Sequence, residues 1–147
     1  MQSPPPPPSQ CTCFRLRKLA RLVSQRYDRE LAQVGININQ YSILRRAAAT
    51  PRAVGELARE LGMDRTTLSR DLKPLAASGW VETVSGEDAR QRLIRVTASG
   101  KRVVARAQPI WRRAQDAIEA SIGVDHISAL NAQLDGATHS LDTGAAA

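Results

Sequence analysis

Between Val54 and Thr97 the hydrophobic period of the chain changes from helical to alternating, and this constrains the fold more than any other feature. Leu57, Ala58 and Leu61 share one face of a short helical stretch, Gly55 to Leu61, which Gly62 ends. Asp64 is then placed to cap a second helix that buries Leu68, Leu72, Leu75 and Ala76 and stops at Gly79. Pro74 lies inside this helix, removes one backbone bond and is expected to kink or loosen its last turn. Trp80 to Val84 and Leu93 to Thr97 are β-rich, and the polar stretch 85–92 between them predicts a two-stranded hairpin with a long basic tip. Helix, glycine turn, helix and hairpin is the order of a winged helix-turn-helix.

Long helices are expected on both sides. Leu16, Leu19, Ala20, Val23, Tyr27, Leu31 and Val34 recur at helical spacing from Cys13 to Val34, with Gly35 closing the run. The other positions, Arg15, Arg17, Lys18, Arg21, Arg26 and Arg29, read as a solvated face. Asn39 is expected to cap a helix from Gln40 to about Ala49, which ends before Thr50-Pro51 because a residue preceding proline is pushed out of the α region. Ser99 is expected to cap a long helix from about Gly100 to Ile122, and a shorter one follows over about Val124 to Leu141. The fold class is therefore mainly α with a small β-hairpin wing (α+β). Residues 1–10, with prolines at Pro4 to Pro8, are expected to form a disordered or polyproline tail. Residues 11–141 form a single domain, with the winged helix-turn-helix at about 38–98 and long helices at about 12–34 and 100–141, and residues 142–147 fray.

Charge separates the two parts of this plan. The net charge is +7, but residues 1–113 hold all 21 Lys and Arg and sum to +12, whereas residues 114–147 hold only acids and sum to −5. An acidic partner for the first part is implied. Burying Leu68, Leu72 and Leu75 leaves Arg65, Thr66, Ser69, Arg70 and Lys73 on the opposite side of the second helix, with Thr67 at its edge. These residue types suit double-stranded DNA, because an arginine fork takes O6 and N7 of guanine together and a threonine methyl packs on a thymine methyl. Lys73, nearer the helix end, fits a phosphate contact. At the hairpin tip Arg90, with Arg92, suits the negative potential of a narrow minor groove, and Asp88 is expected to orient an arginine, either Arg90 or one of the second helix.

The order of elements, the segment Leu57-Ala58 through Leu61-Gly62-Met63-Asp64-Arg65-Thr66-Thr67-Leu68-Ser69-Arg70-Asp71-Leu72, the wing Asp88-x-Arg90, and Val96-Thr97-Ala98-Ser99-Gly100 together resemble the MarR family of bacterial transcription regulators over about residues 12–141. The resemblance implies a homodimer of interleaved N- and C-terminal helices that binds a pseudo-palindromic operator, commonly as a repressor, and releases it when a small molecule or an oxidant acts. Independently, the long helices are too apolar to stand alone beside a winged module of about 60 residues, so they call for a partner surface. Paired recognition helices would reach successive major grooves about 34 Å apart, which requires an inverted-repeat operator. A non-specific architectural DNA binder and a winged-helix protein-interaction module are the alternatives.

The signal is less legible. Family ligands such as phenolic acids often bind between the dimer helices and the winged module, where Tyr27, Tyr41, Arg45 and Trp111 are candidate lining residues. Cys11 and Cys13 lie too close together to cross-link distant parts of one chain; beside Arg15, Arg17 and Lys18 at the start of a helix they are candidates for oxidant or thiophilic-metal sensing. No cofactor is required by this reading. His126 and His139, thirteen residues apart, match no zinc-ligand spacing and read as surface or interface residues. The sequence carries no triad, Walker-type or dinucleotide loop, so an enzyme is not expected. No apolar run has the length of a membrane span and the N-terminus has no secretory pattern, so a cytoplasmic location is expected.

Overall fold

The computed structural model describes residues 11–144. The proline tail at 1–10 and the last three residues lie outside the described residues. The elements are α1 (Thr12–Leu31), α2 (Ile38–Ala47), β1 (Arg52–Ala53), α3 (Val54–Leu61), α4 (Arg65–Ala77), β2 (Val81–Ser85), β3 (Arg92–Val96), α5 (Ala98–Ile122) and α6 (Val124–Gly144). A 3-10 turn over Ala32–Val34 carries α1 toward α2. The sheet is antiparallel in the order β1-β3-β2, with Thr83 opposite Ile94 and Arg52 also opposite Ile94 from the other side.

One core joins all elements but the outermost. Leu31, Ile43, Leu44, Leu57, Leu68, Leu75 and Val103 are almost wholly shielded from solvent, and they come from α1, α2, α3, α4 and α5. α5 contributes Val103, Ala107, Ile110, Ala114 and Ile118 along one stripe, so it runs as a spine from the winged module to the far end. α1 buries only Tyr27 and Leu31, and α6 buries no residue. Phe14, Leu16, Leu22, Val124 and Leu141 consequently stand exposed on α1 and α6.

Several element ends differ from expectation. Asn37, not Asn39, caps α2: its Oδ1 accepts the Gln40 amide at 2.8 Å while the Asn37 amide donates to Gln40 Oε1 at 3.0 Å, a reciprocal capping box. α2 ends at Ala47, short of the expected Ala49. Thr97, not Ser99, caps α5: its Oγ1 accepts the Gly100 amide at 3.1 Å and donates to the Gly79 carbonyl at 2.7 Å. The strands sit one residue later at the first strand and one earlier at the second than the β-rich runs suggested, and the short β1 was not anticipated. α6 runs to Gly144, past the expected Leu141. α4 continues past Pro74 to Ala77, where the Ser78 amide donates back to the Pro74 carbonyl at 3.0 Å. Only the helical bond that the Pro74 nitrogen would have made to the Arg70 carbonyl is lost.

Candidate nucleic-acid interface

The interface is built on the turn between α3 and α4. Gly62 ends α3 in the left-handed region at φ 64°, where a side chain would be strained, and so permits the sharp reversal into Asp64. Asp64 Oδ1 accepts the Thr67 amide at 2.7 Å. That bond holds the Asp64 carboxyl below the usual carboxylate range, so the cap is fully formed at neutral pH and weakens as pH falls through the lowered pKa.

With Leu68, Leu72 and Leu75 turned into the core, Arg65, Thr66, Ser69, Arg70 and Lys73 are all exposed and Thr67 is half-buried. α4 thus presents one continuous polar and basic face. Asp71, which the sequence reading did not single out, lies half-buried at its border; burial pushes its carboxyl up, while Arg70 and a hydrogen bond with Asn39 pull it down.

The wing places Asp88, Arg90 and Arg92 at an exposed tip. Asp88 Oδ1 accepts the backbone amide of Arg90 at 3.0 Å, and the Gln91 amide donates to the Asp88 carbonyl at 2.9 Å. Asp88 therefore shapes the turn that carries Arg90 and does not grip a guanidinium. Further down the wing, Arg95 pairs with Glu82 directly across the strands at 2.5 Å. Ion pairs among the described residues fall on Arg46, Arg52 and Arg95, and none falls on the cations of α4 or the wing tip. Arg52 and Arg46 both meet Glu60, which ties α2 and β1 to α3; the hydrogen bond from Arg52 is the main cause of a lowered Glu60 pKa.

The four candidate effector residues come together at the other end of the core. Trp111 stacks against Tyr27, with ring centroids 6.5 Å apart, and against Tyr41 at 6.2 Å. The Arg45 guanidinium lies 5.5 Å from the Trp111 ring, and Arg112, absent from the sequence reading, lies 5.0 Å from it. Burial raises the pKa of both tyrosines, reinforced by Glu119 at Tyr27 and opposed by Arg45 and Arg112 at Tyr41. A neighbouring apolar cavity of about 340 Å³ between α1, α5 and α6 shares only Tyr27 with this cluster; Leu16, Val23, Ile118, Ile127 and Leu134 are among its walls. Gln115, also unanticipated, accepts the Tyr27 hydroxyl there.

Cys11 occupies the N-cap position of α1 and Cys13 its second residue, and both are exposed. Among the described residues no group of three or more His, Cys, Asp or Glu is arranged to hold a metal ion. His126 and His139 are exposed on α6. No helix among the described residues is long and apolar enough to cross a membrane.

This arrangement has relatives. The pattern of the MarR family matches residues 34–91, which include the whole of α3, α4 and the turn between them. The structure is similar to that of the transcriptional regulator MosR of M. tuberculosis in complex with DNA, with 34% identity, a TM-score of 0.76, and coverage of 90% of this chain and 98% of that one. The MepR–DNA complex of S. aureus shares the fold at a TM-score of 0.75 with 20% identity, covering 90% of this chain and 99% of that one. The HTH-type transcriptional regulator YwoH of Bacillus subtilis (strain 168) is 27% identical over 89 residues; the match spans 60% of this chain and 65% of that protein. With a third of its residues identical to MosR over nearly the whole of both chains, and the family pattern on its helix-turn-helix, the chain belongs to the MarR family of transcriptional regulators.

Proposed function

We propose that the protein is a cytoplasmic, homodimeric repressor that binds an inverted-repeat DNA operator through α4 and the wing, without catalysis. The observation that carries this reading is the exposed row Arg65, Thr66, Ser69, Arg70 and Lys73 on a capped helix whose opposite side is locked into the core. Arg70 and Arg65 supply charge and forked donors, Thr66, Thr67 and Ser69 supply base-edge contacts, and Arg90 and Arg92 extend the reach to the minor groove beside it. Dimerisation is supported by the apolar faces that α1 and α6 leave uncovered and by the cavity open between them and α5, a surface that a second copy of the same helices would close.

Arg70→Ala tests the reading by fluorescence anisotropy on the DNA upstream of the protein's own gene and on a scrambled duplex. The expected loss is about 1–3 kcal/mol on the upstream sequence, with an unchanged melting temperature. Equal affinity of the wild type for both duplexes supports an architectural binder instead, and an unaffected Arg70→Ala variant supports a protein-interaction module.

Release is proposed to follow from a signal that favours one spacing of the two recognition helices over another. Two inputs are proposed. A small aromatic anion suits the Trp111 cluster, where Arg45 and Arg112 bring positive charge to the ring of Trp111 beside Tyr27 and Tyr41. Cys11 and Cys13 suit a two-electron oxidant, which joins two thiols as a disulfide with loss of two protons, or a soft metal ion held by thiolates. The double replacement Cys11→Ser with Cys13→Ser is expected to keep DNA affinity while abolishing release by peroxide or by a thiophilic metal. A double variant that still responds in full excludes the cysteines.

A further inference from the structure

Gly55 and Arg65 meet across the turn of the helix-turn-helix. Gly55 is the second residue of α3 and Arg65 the first of α4, and the Arg65 guanidinium occupies the space where a side chain at position 55 would begin. A Cβ on Gly55 would lie 2.9 Å from the Arg65 terminal nitrogen and 3.7 Å from its guanidinium carbon. The third nearest atom, at 4.0 Å, is Arg65 Nε. The Arg65 guanidinium therefore lies against the start of α3, while the residue stays exposed beside Ser69 and Arg70.

In a helix-turn-helix the first helix crosses the phosphate backbone while the second enters the major groove. An arginine rooted on the second helix but lying on the first has its donors on the backbone side. We infer that Gly55 is a positioning residue which, by lacking a side chain, sets Arg65 as a phosphate contact and not as a base reader. Alanine at position 55 meets only the flexible far end of Arg65, so the backbone need not move; the guanidinium is displaced instead. Helix propensity adds a second consequence, because alanine inside a helix is favoured over glycine. Gly55→Ala should weaken DNA binding while leaving the fold as stable as before or more so, a combination that a purely structural role for Gly55 does not produce.

This inference rests on the DNA-binding reading, and its test separates the two. Gly55→Ala, Arg65→Ala and the double variant are compared with wild type by anisotropy on the upstream duplex and on its scrambled counterpart, across a salt series, with melting temperatures alongside. Arg65→Ala is expected to lose roughly tenfold in affinity equally on both duplexes. It is also expected to reduce the salt dependence by about one unit of slope. Gly55→Ala is expected to show the same pattern with an unchanged or raised melting temperature, and the double variant to be no weaker than Arg65→Ala alone. A wild-type response to Gly55→Ala beside a weakened Arg65→Ala overturns the positioning role. Loss confined to the upstream duplex makes Arg65 a base reader and overturns the phosphate assignment. Undiminished binding by Arg65→Ala overturns both parts while leaving the DNA reading intact, and failure of the wild type to bind either duplex overturns the DNA reading and the inference with it.

Discussion

Gly100→Ala is expected to lower stability by about 3 kcal/mol, because the new methyl has no room and its neighbours are backbone. Its Cβ would stand 2.1 Å from the Trp80 carbonyl oxygen, 3.0 Å from the Trp80 carbonyl carbon and 2.7 Å from a Val96 methyl. That oxygen already accepts the Thr97 amide at 3.0 Å, and Thr97 in turn caps α5 and holds the Gly79 carbonyl. The start of α5, the end of α4 and the root of the wing are thus fastened at one point, and none can retreat alone. For a chain of this size the cost corresponds to a drop of roughly 6–12 °C in melting temperature. Thermal unfolding followed by circular dichroism, at one fixed protein concentration because a dimer's midpoint depends on it, reads the effect directly. A midpoint equal to wild type would show that the wing root does not bear on α5 as described.

The second large effect is expected at Leu68. Its side chain is fully buried in the first turn of α4, with the half-buried Thr67 and the exposed Ser69 on either side. Leu68→Ala is expected to cost about 2–5 kcal/mol, the sum of lost burial and the cavity left behind. Leu68→Met, which conserves volume, should cost less than about 1.5 kcal/mol. The contrast with Arg70→Ala is the informative part. Leu68→Ala should lower the melting temperature and, well below it, still bind DNA through an intact outer face, whereas Arg70→Ala should keep the melting temperature and lose affinity. If both variants lost stability and affinity in parallel, α4 would not have the division of labour assigned to its two sides.

Much of this was legible because the decisive residues act locally. Gly62 and Asp64 lie next to the helix ends they define, and the leucine spacing of α4 alone says which side faces outward. The caps of α2 and α5 were misplaced where two suitable residues stood two positions apart. For α2 the reciprocal pairing of Asn37 with Gln40 was present in the sequence as a capping-box pattern and decides the matter. For α5 the choice of Thr97 depends on a bond to Gly79, eighteen residues away, which no local pattern displays. β1 has only two residues and exists through its pairing with β3, so hydrophobic periodicity had nothing to register. Within the site, the exposure of Arg70 and Lys73 followed from helical spacing, but the contact of Arg65 with Gly55 required the angle between two helices. The same holds for Gln115, whose bond with Tyr27 arises where α5 meets α1, and for the effect of Arg112 on Tyr41, which arises where α5 meets α2.

In the proposed function two copies of this chain read a two-fold symmetric DNA sequence, each through α4 and its wing. Hydroxyl-radical footprinting of the purified protein on the DNA upstream of its own gene tests that function most directly. Protection is expected in two patches related by a dyad and centred about 34 Å apart along one face of the duplex, weakened by Arg70→Ala. Uniform protection without a dyad, or none at concentrations where the protein is folded and dimeric, would contradict the proposed function.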